Sequence, residues 1–110
     1  IDASFISLRL LLPVVSQWLP RGSGSIVALI KPQFEAGREH VRRGGVVRDQ
    51  GVIRAVVKKV VQFAMRDGLR PLRLVRSPLL GPAGNVEFLA VLAQYGEVPE
   101  EEDLLAMAGL

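Results

Sequence analysis

The segment from Ile26 to Glu35, IVALIKPQFE, constrains the fold more than any other part of the sequence. Its first five residues are apolar and include two isoleucines and a valine, a pattern typical of a buried strand in a parallel sheet. Lys31 stands where this strand leaves the core. Ligands of open α/β sheets bind at the carboxyl ends of the strands, so an amine here is expected to serve chemistry. Pro32 is expected to delay any following helix and to keep Lys31 extended.

The charge is distributed unevenly along the chain. The 110 residues include 14 basic and 11 acidic ones, for a net charge of +3. Five of the acids lie in the last 14 residues, so the first 95 residues hold every basic residue and only six acids. Such a basic domain suggests a polyanionic partner. A solvated basic surface without a partner is the alternative.

Composition narrows the class of protein. The length allows one domain at most, and no apolar run approaches the roughly 20 residues that span a bilayer. The mostly apolar stretch from Leu8 to Leu19 is too short and is interrupted by Arg9 and Pro13. The sequence shows no signal-peptide pattern and no cysteine, which fits a cytoplasmic protein. His40 is the single histidine, so no histidine metal cluster and no metal site are expected.

Two helices can be predicted from their capping residues. Ser7 can cap a helix that runs to Leu19. Pro13 is awkward in a helix interior, so the alternatives are an irregular first turn or a helix that starts near Pro13. Trp18 is expected to pack on the sheet. Asp49 can cap a second helix that runs to about Asp67, with a glycine as its C-terminal stop. The preferred interpretation of the lysines on the second helix is a solvent-exposed face, and the alternative is contact with RNA.

Between the first strand and the second helix lies a long polar loop, Gln33 to Arg48. A structureless loop of this length is usually functional or disordered. Its basic side chains suit phosphate contacts and are the candidate RNA-binding residues. They are Arg38, His40, Arg42, Arg43 and Arg48. A solvated loop is the alternative, and His40 fits a polar loop residue better than a general base.

Strand directions bring three charged residues to one edge of the predicted sheet. A strand from Pro71 to Arg76 suits a sheet edge, and a last strand runs from Val86 to Ala93. The connection between them is too short for a parallel crossover, so the last strand should be antiparallel. Its beginning, with Glu87, then lies at the same edge as Lys31. Asp2, at another strand exit, joins them, although it and Glu87 could also be ordinary turn residues.

Four sequence blocks, in their order and spacing, resemble the TlyA family, the hemolysin-like members of the FtsJ-type ribosomal RNA methyltransferases. The blocks are DASFISL at 2–8, KPQFEAGRE at 31–39, GGVVRD at 44–49 and GPAGNVEFL at 81–89. The resemblance implies an α/β, Rossmann-like methyltransferase fold whose mostly parallel sheet has an antiparallel last strand. Residues 1–94 would form the C-terminal half of that domain, with the strand before Asp2 and a glycine-rich cofactor loop lying upstream. Residues 95–110 would be an acidic tail, expected to form a short helix.

The resemblance also implies an activity. The family transfers a methyl group from S-adenosylmethionine to a ribose 2′-hydroxyl of ribosomal RNA, here expected on a cytidine. Asp2, Lys31 and Glu87 match three members of its Lys-Asp-Lys-Glu tetrad, and the first lysine would lie upstream. Asp2, Ala3 and Phe5 match the cofactor side of the site.

The expected partners are ribosomal RNA or a ribosomal subunit. No membrane is expected as a partner. A second copy could also dimerise through an exposed sheet edge. A non-catalytic RNA-binding or interaction module on the same fold is the alternative function. The hemolysin label gains no support from any membrane-spanning or pore-forming segment in the sequence.

Overall fold

A computed structural model describes residues 1–3, 7–42 and 44–110 of the chain. Four α-helices and three strands are found in these residues, together with two short 3₁₀ turns at Arg38–His40 and Pro82–Gly84. In chain order the elements are α1 (Leu8–Ser16), β1 (Ser25–Ile30), α2 (Pro32–Glu35), α3 (Gln50–Arg66), β2 (Arg70–Arg76), β3 (Phe88–Ala93) and α4 (Glu101–Met107). None of the helices in the described part of the chain has the length and apolar character needed to cross a membrane.

The three strands form one sheet in the order β1-β3-β2. β3 is antiparallel to both neighbours, which confirms the predicted direction of the last strand. β1 and β2 run the same way, but β3 lies between them, so both of these strand pairings are antiparallel. The expected mostly parallel sheet is therefore not confirmed. Ile1 lies beside β1 in the manner of a parallel neighbour, since its backbone nitrogen donates to the Val27 carbonyl at 2.6 Å and its carbonyl accepts from the Leu29 amide at 2.9 Å.

One face of the sheet carries the core. Ile26, Ala28 and Ile30 alternate with less buried residues along β1, as the period of a strand requires. The cross-strand register sets them opposite three buried residues of β3, which are Leu92, Ala90 and Phe88. Buried residues of α1 and α3 belong to the same hydrophobic cluster. The apolar run that predicted β1 is therefore buried because its alternate side chains meet helices.

The second predicted helix is confirmed. α3 begins after Asp49, whose carboxylate accepts from the Val52 amide at 3.1 Å. It ends before Gly68, which adopts a φ of +79° that favours glycine. The sequence signals at both ends of this helix were sufficient because each acts within one turn of the helix.

The first predicted helix is shorter than expected. Ser7 caps α1 by accepting from the Arg9 amide at 3.1 Å, and Pro13 is accommodated inside the helix. The helix ends at Ser16 rather than at Leu19. Trp18 consequently lies in the following turn, where it is 74% exposed. The expectation that Trp18 packs on the sheet is wrong.

The acidic C-terminal segment contains the short helix α4. α4 packs on α3 and β2 and buries Leu104 and Leu105. Glu102 accepts from the Arg54 guanidinium at 2.6 Å, and Glu101 lies 3.2 Å from the Lys58 ammonium. Arg54 and Lys58 are therefore paired with the tail rather than left as a bare basic face.

Candidate active site

Lys31 lies at the carboxyl end of β1, between the strand and α2. Its backbone is extended, with φ −112° and ψ 98°, as expected before a proline. Pro32 is the first residue of α2, so the expectation that it would delay a helix is wrong. The first position of a helix needs no amide hydrogen and suits the fixed φ of proline. The Lys31 side chain is only 11% exposed, and its ammonium is 2.5 Å from an Asp2 carboxylate oxygen.

Glu87 lies at the same edge of the sheet as this ion pair. β1 and β3 pair Ile30 with Phe88, and one further step in that register sets Lys31 opposite Glu87. Glu87 is buried, and its carbonyl accepts from the Ser77 amide at 2.8 Å. The structure therefore brings one amine and two carboxylates to the edge where β1 ends and β3 begins.

Gly81 lies directly against the Glu87 carboxylate. A Cβ added at Gly81 would overlap both the carboxylate carbon and one of its oxygens. The φ of Gly81 is −79°, which any residue adopts, so the glycine is needed for space and not for conformation. The Gly81 amide donates to the Asn85 carbonyl at 2.8 Å and closes the turn that holds it there.

Gln33 is a site residue that the sequence reasoning did not single out. It is 9% exposed, and its amide nitrogen donates to Glu87 Oε2 at 3.3 Å. Its amide oxygen is buried and, within the residues that the structure describes, is the one buried side-chain polar atom with no hydrogen-bond partner. A buried acceptor of this kind costs about 1–3 kcal/mol until a donor satisfies it. The sequence feature that could have identified Gln33 as a site residue is its position two residues after Lys31.

Glu35 links α2 to the start of α1. Its carboxylate accepts from the Ser7 hydroxyl at 2.6 Å and from the Leu8 amide at 2.8 Å. Burial raises the pKa of Glu35, and the bonds from Ser7 and Leu8 and the charge of Arg9 partly oppose that rise. Glu35 thereby fixes the point at which the chain enters α1, a few residues after Asp2.

The raised pKa of Glu35 predicts how stability changes with pH. The folded chain holds the proton of Glu35 more tightly than the unfolded chain does. The free energy of unfolding should therefore fall as pH rises from the ordinary carboxyl pKa through the raised one. Glu35→Gln removes the titration, so its urea-unfolding free energy should lose this part of the slope as pH rises above the ordinary carboxyl pKa of about 4.3. Glu97→Gln, at an exposed position, is the control, and an unchanged slope in Glu35→Gln would contradict the assignment.

The candidate RNA-binding residues lie on a segment with more structure than expected. Arg38 and His40 are exposed on a 3₁₀ turn, and Arg42 pairs with Val46 in a tight hairpin with an amide-to-carbonyl distance of 2.7 Å. Arg48 is also exposed, whereas Val46 is buried against the body of the protein. The expectation of a structureless polar loop is wrong, because buried apolar residues anchor it.

Three further positions complete the survey of the predicted site. Ala3 is half-buried next to Asp2, whose carboxylate is largely exposed. The predicted cofactor residue Phe5 and the predicted RNA-binding residue Arg43 lie outside the described residues.

The chain is similar to known proteins in sequence and in fold. The model of the FtsJ-like methyltransferase family matches residues 1–94. The chain is 48% identical over 104 residues to a Bacillus subtilis protein named "Putative rRNA methyltransferase YqxC", covering 94% of this chain and 37% of that one. It is 42% identical over 87 residues to the Mycobacterium tuberculosis 16S/23S rRNA (cytidine-2′-O)-methyltransferase TlyA, covering 79% of this chain and 32% of that one.

A solved structure shares the fold as well as the sequence. The crystal structure titled as a putative hemolysin from Lactococcus lactis superposes with a TM-score of 0.85 at 44% identity. The match covers 96% of this chain and 52% of the solved one, so the chain spans about half of that protein and about a third of the two sequence relatives. Fold, sequence and family model agree, and the chain belongs to the FtsJ-like methyltransferase family.

Proposed function

We propose that the protein carrying this chain transfers a methyl group from S-adenosylmethionine to a ribose 2′-hydroxyl of ribosomal RNA, with a cytidine as the target nucleotide. The family and the names of two relatives support this class of reaction. The observation that carries it is the buried Lys31 ammonium, paired with Asp2 and set opposite Glu87 at the end of β1. A ribosomal RNA substrate implies action in the cytoplasm.

The arrangement suits a reaction in which orientation matters most. A ribose hydroxyl is a poor nucleophile, and in-line attack on a methyl sulfonium requires the oxygen to be held in place. Lys31 is positioned to orient the hydroxyl and to stabilise the negative charge that develops as its proton leaves. Asp2 and Glu87 orient the amine. Bound S-adenosylmethionine would supply the methyl group and leave as a neutral thioether, while Lys31, held by Asp2 and Glu87, would orient the accepting 2′ oxygen and the hydroxyl proton would be released to solvent.

The residues present fit the proposed cofactor. S-adenosylmethionine supplies a methyl group on a positively charged sulfur, and it also carries an ammonium group and ribose hydroxyls. The exposed Asp2 carboxylate and the unpartnered Gln33 oxygen are acceptors suited to such donors. Ala3 and Phe5 are proposed to line the same side, with Phe5 proposed from the resemblance alone.

The RNA would approach over the arginine-bearing segment. Arg38, His40, Arg42 and Arg48 are exposed on its turn and hairpin, where guanidinium groups can contact phosphates. Arg43 is proposed for the same role from its place in the sequence. These contacts would be independent of base identity, so the choice of nucleotide must come from elsewhere in the protein.

The proposed function can be tested with labelled S-adenosylmethionine and ribosomal RNA. The full-length protein that carries these residues should place the labelled methyl group on RNA. The label should be absent when the target nucleotide is 2′-deoxy and otherwise unchanged. RNA binding without any methyl transfer would contradict the proposal and favour the alternative, a non-catalytic RNA-binding module.

A further inference from the structure

Asn85 is a buried polar residue next to the candidate active site. It is 2% exposed, and both its amide oxygen and its amide nitrogen make hydrogen bonds to backbone atoms. Its oxygen accepts from the Val47 amide at 3.0 Å. Its nitrogen donates to the carbonyl of Gly45 at 2.8 Å and to the carbonyl of Pro82 at 3.0 Å. One side chain thus contacts two separate segments of the chain.

The first segment is the arginine hairpin, of which the structure describes residues 42 and 44–46; it holds Arg42 and leads to Arg48. The second is the glycine turn, residues 81–85, whose Gly81 lies against the Glu87 carboxylate. Within the described residues, no backbone–backbone hydrogen bond joins the hairpin to the glycine turn. Among the described residues, one direct hydrogen bond joins them, from the Asn85 side chain to the Gly45 carbonyl, and the Val47 amide just after the hairpin donates to the same side chain.

We propose that Asn85 is a positioning residue that fixes the arginine hairpin relative to the carboxylate edge of the active site. The proposal rests on the proposed function, since it assigns the hairpin to the RNA backbone and the edge to the reacting ribose. RNA held by the hairpin presents its ribose to Lys31 only when the hairpin is in register with the site. A displacement of about 1 Å in such a contact can cost roughly a hundredfold in rate.

Asn85→Asp provides a near-isosteric test. A carboxylate can still accept from the Val47 amide, but it cannot donate to the carbonyls of Gly45 and Pro82. The variant and the wild-type full-length protein are compared on two substrates. One is an intact ribosomal subunit, which can contact the hairpin. The other is an RNA of a few nucleotides around the target, which is too short to reach it.

The two substrates should respond differently. For the ribosomal subunit, Asn85→Asp should lower kcat/KM roughly 10- to 100-fold, mainly through kcat, because the bound ribose is no longer aligned with Lys31. For the short RNA, kcat/KM should stay close to wild type. Gln62→Ala, which removes an amide that contacts the α4 residue Glu101, is the matched control and should leave both substrates unaffected. Equal losses on both substrates would show a general structural role and overturn the proposal, as would no loss on either.

A second measurement does not depend on catalysis. Amide hydrogen exchange in the full-length protein reports the Val47 amide directly. Asn85→Ala should accelerate exchange at Val47 and leave the core strand amide of Ala90 protected. A wild-type protein that transfers no methyl group would refute the proposed function. Independently of methyl transfer, an exchange rate at Val47 that Asn85→Ala leaves unchanged would overturn the proposal that Asn85 fixes the arginine hairpin.

Discussion

Lys31→Ala is expected to lower the rate of methyl transfer by at least about 10²- to 10³-fold while leaving affinity for S-adenosylmethionine nearly unchanged. The amine lies at the end of β1 with Asp2 as its partner, where it can contact a hydroxyl but adds little to the binding of a cationic cofactor. An interaction that strengthens in the transition state lowers kcat when it is lost. Single-turnover methylation and calorimetric titration of the full-length protein measure the two quantities separately.

The variant should remain folded, because it removes a largely buried charge and leaves Asp2 exposed to solvent. Lys59→Ala on α3 is the matched control, since it deletes an exposed lysine elsewhere in the chain. Its turnover should equal that of the wild type. A near-normal rate for Lys31→Ala would show that Lys31 is not catalytic, and parallel losses in rate and cofactor affinity would assign it to binding.

The position of the candidate site could be predicted from the sequence because it depends on strand direction. The apolar run before Lys31 predicted a strand, and the short connection before β3 required an antiparallel return. Those two inferences place Glu87 beside Lys31, and both depend on local patterns or on loop length. The expectation of a mostly parallel sheet is not confirmed within this chain. β1 and β2 run in the same direction, but β3 lies between them and is antiparallel to both.

Other features of the site depend on contacts between distant parts of the chain. Gln33 and Glu87 are 54 residues apart, and Asn85 and Gly45 are 40 residues apart. Periodicity, capping and turn chemistry act over a few residues and contain no information about such pairs. The prediction that Trp18 packs on the sheet was wrong for a related reason, since the exposure of Trp18 depends on where α1 ends relative to the sheet. A single sequence thus predicts the edge but not the network that supports it.

Gly81→Ala is expected to lower turnover roughly 10- to 100-fold, with a loss in unfolding free energy of about 1–3 kcal/mol. The φ of Gly81 is open to alanine, so the whole effect is the overlap of the new methyl group with the Glu87 carboxylate. To relieve it, Glu87 must move away from Lys31 or the turn must open. Urea unfolding and steady-state methylation of the full-length protein measure the two losses.

A double-mutant cycle with Glu87→Ala separates overlap from any other effect of the methyl group. Truncating Glu87 removes the atoms that the added Cβ would meet, so Gly81→Ala should cost almost no stability in that background. Gly51→Ala in the first turn of α3 is the matched control, because its Cβ would come no closer than 3.1 Å to an Asp49 oxygen. If Gly81→Ala were equally destabilising with and without the Glu87 carboxylate, the turn would matter for its own folding. Its close approach would then have no special role in holding the catalytic edge.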